Sequence, residues 1–502
     1  MIRAFLSCRR GATAALIGLL LIPVVAITGL AIDLTRLWLL QGRLQTAVDA
    51  AVLVAGREST TQTQSADAIA LFWSNFGRTN QTTGAGYLGA LAGTPVISQL
   101  DATTVQLKAS ASLGTTLIGV LGQGPVTVSA VASAKRAQYG MEIALVLDIT
   151  GSMKTNNNIG GLRTAAGNLI DILFGSSDTQ PNLFMSVVPF VASVNIGKQH
   201  TGWLTAGSLD QSQYGSVGWA GCVQARANGQ DLTDTPPQSA PFNPFLWAST
   251  TNRYHNAGKV VTGDNDWTAS NITEQNQANL PDNTAVGPNL SCPAVPILPL
   301  TTSKATILNS ISGLQATFRG GTTGNLGLQA GWFTLSPRWS GLWGANGSPL
   351  PYNTPYMQKV VVMMTDGNNE WYDWPGGAPG QAPSVYDGQK VDADYTAYGR
   401  LSENRLGIAM PNTGNMTNDL ATANQRVIAE LNARTTNVCT QMKQQGIVIY
   451  TVILGSVDAS TQALWQGCAT KPENYFNSPD KNALANAFQQ IGTQLASLRL
   501  TQ

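Results

Sequence analysis

From Ala12 to Ile32 the chain runs 21 residues without a charged side chain. At about 1.5 Å of rise per residue, such a helix crosses a bilayer core of roughly 30 Å. Arg3, Arg9 and Arg10 precede the run, which predicts an N-terminus on the cytoplasmic side. Arg36 and Arg43 follow it, and Pro23 at mid-span permits a kink. A cleaved secretory signal has a shorter apolar stretch that ends at small residues. Here the run is longer and passes directly into polar helix through Asp33, Arg36, Gln41 and Arg43. The reading is an uncleaved anchor, with residues 1–11 cytoplasmic, 12–32 spanning the membrane and the rest outside the cytoplasm.

The rest of the 502-residue chain suits that placement. Charged residues make up 11% and the formal net charge is +1, so there is no basic field for nucleic acid. Two histidines, His200 and His255, and no CxxC or HxxxH spacing argue against a zinc enzyme. Cys8 precedes the span, while Cys222, Cys292, Cys439 and Cys468 follow it. Loop closure is least costly between near neighbours. In an oxidising compartment, Cys222–Cys292 and Cys439–Cys468 are therefore the expected disulfides.

Apolar residues at Leu37, Leu40, Leu44, Val48 and Val52 continue the helix past the membrane. Residues 61–94 read as polar and Gly-rich. Alternation in TVQLKASAS and VTVSAVASA predicts two strands within residues 104–134. Residues 33–138 thus form a small pilin-like α+β region. From 139 to 502 the rhythm changes to apolar strands alternating with helices. EIALVLD, residues 182–190, 358–366 and 446–454 and a short NYF strand are separated by helices. This predicts an α/β, doubly wound, mainly parallel, Rossmann-like sheet. Two stretches, 191–300 and 367–417, are too long for loops of a compact domain and read as insertions. Their aromatics (Trp203, Trp219, Trp247, Trp267, Trp371, Tyr372 and Trp374) are expected mainly to pack local cores, with a recognition surface as the alternative.

Asp148, Thr150 and Ser152 alternate on one loop at the carboxyl end of the first buried strand. Ligands of a doubly wound sheet sit beyond the carboxyl ends of its strands, and hard cations take such oxygens. Further ligands must come from neighbouring crossovers. The candidates are Thr322, with Thr323 as its competitor, and Asp366 after the most apolar strand. The plain alternative is that these residues only cap and turn. No nucleophile–His pair and no phosphate-binding loop is evident, so an enzyme is not expected.

These motifs carry two resemblances. The run RRGATAALIGLLLIPVVAITGLAIDL followed by LQTAVDAAVLVAG resembles TadE/TadG-like proteins of the tight-adherence (Tad) pilus assembly system. The matching positions are Gly11, Pro23, Asp33 and Gln45 to Ala51. Prepilins carry a Glu where this chain has Leu16, so cleavage after Gly11 is not expected. D-x-T-x-S, a Gly-Thr stretch and an apolar strand ending in T-D-G resemble von Willebrand factor A (vWA) domains. That resemblance implies a metal-ion-dependent adhesion site on Asp148, Thr150, Ser152, Thr322 and Asp366, holding Mg²⁺ or another divalent cation such as Mn²⁺ or Ca²⁺. It also implies a protein partner whose carboxylate completes the coordination. TadG-like proteins combine both parts, and CPAVPILPLTTSK, GLQAGWFTLSP and the C-terminal 28 residues also look like that family. The implied role is a Tad (Flp-type) pilus component in the bacterial inner membrane, with other pilus-assembly proteins as partners. The alternatives are a self-standing surface adhesin for a host or matrix protein and, third, a metal-dependent hydrolase.

Overall fold

The computed structural model describes residues 9–57, 61–77, 86–100, 104–116, 124–135, 140–247, 287–317, 321–344, 348–371, 395–399, 403–408 and 416–501, with short pieces at 255–256, 259–260, 385–386 and 389–390. The chain forms two compact units that divide between Gln138 and Tyr139, with residues 497–502 grouped with the first.

The first unit is built on helix α1 (Arg9–Arg57), which is 49 residues long and contains Pro23. Its first part carries the apolar run, and Ile17, Leu19, Leu20, Val24, Ile27 and Leu30 lie exposed with no protein over them. This is the one helix among the described residues that is long and apolar enough to cross a membrane. Beyond it the helix becomes one-faced. Leu40, Leu44, Ala47, Val48, Ala51, Val52 and Ala55 are buried, at the three- and four-residue spacing of one helical face. That face is covered by α2 (Thr61–Phe76) and by a sheet of β1 (Leu91–Ala92), β2 (Val96–Gln99), β3 (Thr104–Leu113) and β4 (Val126–Lys135). The sheet is four-stranded and antiparallel, in the order β1-β3-β2 with β4 also against β3. The two alternating segments are thus β3 and β4. The stretch read as merely polar instead forms α2, because Ala68, Phe72 and Phe76 fall at four-residue spacing and bury on α1.

Where the apolar run stops, Asp33 is buried rather than solvated. Its carboxylate accepts hydrogen bonds from the Thr116 N–H at 3.2 Å and the Thr116 hydroxyl at 2.7 Å. Arg36, one turn on, lies 3.6 Å from the same oxygen.

The second unit is the α/β domain. Its strands are β5 (Gly140–Asp148), β6 (Leu183–Phe190), β7 (Val194–Asn195), β8 (Cys222–Val223), β9 (Leu298–Thr301), β10 (Gly321–Thr322), β11 (Met357–Thr365), β12 (Glu370–Trp371), β13 (Val448–Leu454) and β14 (Tyr475–Ser478). Its helices are α3 (Asn158–Phe174), α4 (Lys304–Ser312), α5 (Gly324–Leu335), α6 (Met416–Gln444), α7 (Ala459–Cys468) and α8 (Lys481–Thr501). The main sheet runs β14-β13-β11-β5-β6-β7-β8, with β9 also against β6. From β14 to β6 the neighbours are parallel, while β7, β8 and β9 are antiparallel additions. Every residue of β5 is buried, as expected of a strand covered on both faces. One sheet face packs on α3, α4 and α8, and the other on α5, α6 and α7.

The chain leaves β5 toward β6 on one side and later returns to β11 on the other. The strand order therefore reverses between β5 and β11, and a doubly wound sheet places its ligand crevice at such a point.

The segment from 191 onward packs partly into the main core and partly into a smaller core of its own. Trp203, Trp219 and Phe242 join the main core beside Phe190, Phe333 and Trp339. Trp247 sits in a smaller cluster with Phe245, Tyr395 and the bonded Cys222–Cys292 pair. Trp371 is also buried. Trp267, Tyr372 and Trp374 lie outside the described residues. Two buried carboxylates tie the segment down. Asp231 accepts from Tyr398 Oη at 2.7 Å and pairs with Arg434. Asp234 accepts from Tyr352 Oη at 2.9 Å and pairs with Arg338 at 2.8 Å. The second disulfide joins Cys439 to Cys468; Cys8 lies outside the described residues.

Helix α5 lies close on the sheet because Gly327 and Gly331 face it. A Cβ at Gly331 would stand 2.5 Å from the Val146 side chain, and one at Gly327 2.6 Å from the Phe190 ring. Gly331→Ala is therefore expected to lower stability by about 1–3 kcal/mol through overpacking. Chemical denaturation of the full chain in detergent checks this; an unchanged midpoint would mean that α5 moves away freely.

Candidate metal centre

Asp148 ends β5 and Asp366 follows β11, the strand next to it, so parallel pairing delivers both carboxylates to one edge of the sheet. Thr150 and Ser152 come from the turn after β5, which starts with a short 3₁₀ segment at Gly151. Asp148 is fully buried. Its Oδ1 accepts from the Thr150 N–H at 2.9 Å and the Thr150 hydroxyl at 2.7 Å. Its Oδ2 accepts from the Thr365 hydroxyl at 2.7 Å. Thr150 and Ser152 hydroxyl oxygens are 2.9 Å apart, and Ser152 Oγ lies 2.8 Å from Asp366 Oδ1.

Four of the five expected ligands are thus joined in one chain: Asp148, Thr150, Ser152 and Asp366. Thr322 lies on β10, which pairs with β12 just beyond Asp366. Its side chain is buried and makes no hydrogen bond to the other four among the described residues. The neighbouring Thr323 has its hydroxyl committed, donating to the Val191 carbonyl at 2.9 Å. Thr365 was not singled out from the sequence. Its place in T-D-G, facing the previous strand end, was the available signal.

Hydrogen counting shows what this chain lacks. Its three oxygen–oxygen contacts, at 2.7, 2.9 and 2.8 Å, are served by the hydrogens of only two hydroxyls. A hydroxyl carries one hydrogen. If Thr150 donates to Asp148 and Ser152 to Asp366, the two hydroxyl oxygens face each other without a proton. A carboxylic acid at Asp366 repairs this by donating to Ser152, which donates to Thr150, which donates to Asp148. Electrostatics agrees. Burial raises Asp148 above the ordinary carboxyl range, against the hydrogen bonds it accepts. Burial first, and then the charge of Asp148, push Asp366 up to about 7.

A divalent cation resolves the same deficit without the proton, because lone pairs that repel one another can all point at it. The donor set is two carboxylates with hydroxyls, all oxygen, which suits Mg²⁺, Mn²⁺ or Ca²⁺ rather than a metal that prefers sulfur or nitrogen. Among the described residues, no group of three or more His, Cys, Asp or Glu is placed to hold a metal. A cation here must therefore use hydroxyls. The residues present fit that chemistry.

Comparison with known proteins adds the following. Residues 11–58 match the family described as putative Flp pilus-assembly TadE/G-like. That match covers the apolar run and the alanine-rich stretch after it. No curated protein matches the chain. Among solved structures, proximal thread matrix protein 1 from the mussel byssus, with a zinc-occupied MIDAS motif, is 13% identical, with a TM-score of 0.31, over 72% of this chain and 47% of that one. The vWF domain of the type V pili tip protein Mfa5 from Porphyromonas gingivalis is 8% identical, with a TM-score of 0.32, over 71% of this chain and 95% of that one. The pilus adhesin SpaC from Lactobacillus rhamnosus GG, in its open conformation, is 10% identical, with a TM-score of 0.35, over 83% of this chain and 36% of that one. The chain thus spans about half the length of the mussel protein.

The elevated carboxyl sets a pH dependence. An ordinary Asp titrates near 3.9, and the folded chain holds a proton on Asp366 up to about 7. Between those values the folded state binds more protons than the unfolded one. Stability of the metal-free chain therefore falls as pH rises through that window and levels off above it. A cation must displace the proton, so its affinity rises over the same range. Mg²⁺ calorimetry at pH 6, in two buffers of different ionisation enthalpy, should show proton release. Equal heats in the two buffers would contradict the assignment.

Proposed function

We propose that this chain is a membrane-anchored component of a Tad (Flp-type) pilus assembly apparatus, and that its α/β unit is a vWA-type domain binding a protein partner through a divalent cation. The observation that carries the reading is the proton-deficient chain of Asp148, Thr150, Ser152 and Asp366 at the point where the strand order reverses. The family match at residues 11–58 supplies the pilus context.

In this reading Asp148, Thr150, Ser152 and Asp366 hold the cation together with the Thr322 hydroxyl, its neighbour Thr323 being turned toward the Val191 carbonyl. A bound cation would supply a Lewis-acidic centre able to take a carboxylate from a protein partner. Thr365 keeps Asp148 turned toward the site. The role is adhesive rather than enzymatic: the hydroxyls of Thr150 and Ser152 are engaged with the two ligand carboxylates, and among the described residues no histidine is hydrogen-bonded to them. The exposed apolar part of α1 lies in the inner membrane with the N-terminus cytoplasmic, and the α/β unit faces the periplasm or the cell surface.

Asp148→Ala and Asp366→Ala should fold, because both side chains sit at the sheet's edge, where loops carry function and the scaffold carries stability. Both should lose magnesium-dependent capture of partner from envelope extract, and chelator should abolish capture by the wild type. Circular dichroism with pulldown tests this; two folded variants that retain wild-type capture would remove the cation from the function. A reporter active only outside the cytoplasm, fused after Gln502, should be active, whereas the same fusion at Arg9 should be silent. A cytoplasmic signal from the C-terminal fusion would overturn the orientation.

A further inference from the structure

Two asparagines follow Asp366 directly, after Gly367, and both side chains reach away from the metal loop. The Asn368 carboxamide donates to Asp458 Oδ2 at 2.9 Å and accepts from the Thr461 hydroxyl at 2.7 Å. Asp458 is the N-cap of α7, its carboxylate accepting from the Thr461 N–H at 2.8 Å. Asn368 therefore clips the loop to the start of α7.

Asn369 is buried. Its Oδ1 accepts from the Gly324 N–H at 2.8 Å. Gly324 opens α5 two residues after Thr322, and the residue before it, Thr323, supplies no side-chain cap. Asn369 thus caps α5 from a different strand end. Its Nδ2 donates to Asn432 Oδ1 at 2.9 Å and Thr435 Oγ1 at 3.0 Å, both on α6. The approach is close enough to demand glycine, since a Cβ at Gly324 would stand 2.8 Å from Asn369 Oδ1 and 3.0 Å from the Trp465 ring. Cys439 lies one turn after Thr435 on α6 and is bonded to Cys468 at the end of α7. The path from Asn369 through α6, the disulfide and α7 back to Asn368 is a closed ring with Asp366 beside its entry.

We propose that Asn368 and Asn369 are positioning residues of the metal site, fixing the Asp366 carboxylate and the Thr322 hydroxyl to one frame made of α5, α6 and α7. This rests on the metal reading above. Both carboxamides are engaged at both ends, so they bind no ligand themselves. Their action is through the two loops they join. Asp366 and Thr322 lie on different crossovers, and the asparagines add to the two-residue pairing of β10 with β12 in setting their spacing. Groups that orient metal ligands typically govern affinity by roughly ten- to a hundredfold.

The test is Mn²⁺ titration of the detergent-solubilised full chain, with free Mn²⁺ read by electron paramagnetic resonance. Asn369→Ala and Asn368→Ala should each weaken Mn²⁺ roughly tenfold or more. Asn369→Asp should recover much of the loss, because it keeps an acceptor for the Gly324 N–H. Gly331→Ala is the control for a merely structural effect, lowering stability on α5 while leaving both loops intact; it should bind Mn²⁺ like wild type. Should Asn369→Ala fail to fold, Asn368→Ala, on the half-buried side of the loop, carries the comparison. Folded asparagine variants with wild-type affinity, or a Gly331→Ala loss as large as theirs, would overturn the proposal alone. A wild-type chain that binds no Mn²⁺ would overturn the metal reading and this proposal with it.

Discussion

Two carboxylates are delivered by parallel pairing to adjacent strand ends, one of them wholly desolvated, and much of the larger unit follows from that constraint. Asp148 pairs across to Phe190 on one side, and β11 flanks it on the other. It has no access to water. Burying a charge is costly unless hydrogen bonds or an opposite charge compensate. Thr150 and Thr365 supply three hydrogen bonds, yet no basic side chain donates to either Asp148 or Asp366 among the described residues. Elsewhere in the same sheet the problem is met differently. Glu142, buried on β5, is paired with Lys359 on β11 and also accepts from the Leu350 N–H at 2.8 Å. A chain that neutralises one buried acid with a lysine and leaves the pair at the crevice to protons or a cation treats the two places differently.

The same contrast explains the long segment after β6. Its buried acids, Asp231 and Asp234, are each met by an arginine and a tyrosine. They act as ties rather than as sites. Arg226 extends the pattern. It is buried, donates to the Thr235 and Ala240 carbonyls at 2.6 and 3.1 Å, and lies over the Phe242 and Phe333 rings at 4.7 and 5.0 Å. Three charges of the segment, Arg226, Asp231 and Asp234, are thus held inside beside partners, while Lys198 and Asp210 are exposed. Of its described tryptophans, Trp203 and Trp219 complete the main core and Trp247 a smaller one beside the disulfide.

The sequence made the long elements legible because their periodicity is strong. β5, β11 and β13 are mostly apolar, with IALVL and VVVMM as their longest runs in the first two, and the N-terminal apolar run needs only its length. The order D-x-T-x-S, Gly-Thr and T-D-G pointed to Asp148, Thr150, Ser152 and Asp366, which the fold brings together. Elements that depend on distant partners were not legible. α2 hides its Ala68, Phe72 and Phe76 face behind the polar TQTQS start. β7 and β8 are two residues each, and β9 contains Pro299, tolerable because the strand adds antiparallel at the sheet's margin. Asn368 and Asn369 were not legible because their importance lies in which helix each reaches, and a hydrogen bond across more than sixty residues leaves no local pattern.

Helix α1 changes character along its length. Its early apolar residues are exposed on all sides, and its later ones are buried along a single face. The change falls near Asp33. A carboxylate left bare at that point would sit where a bilayer ends, in reach of either hydrocarbon or water. Thr116 and Arg36 satisfy it from the protein side instead. Because Asp33 is committed to the loop after β3, α1 cannot slide along its axis without breaking the two hydrogen bonds from Thr116. A helix free to slide could draw Asp33 into hydrocarbon at a cost of several kcal/mol. Placing that residue against Thr116 fixes how much of the apolar run is left uncovered by protein, so the length of that bare stretch is set by packing within the first unit as much as by hydropathy.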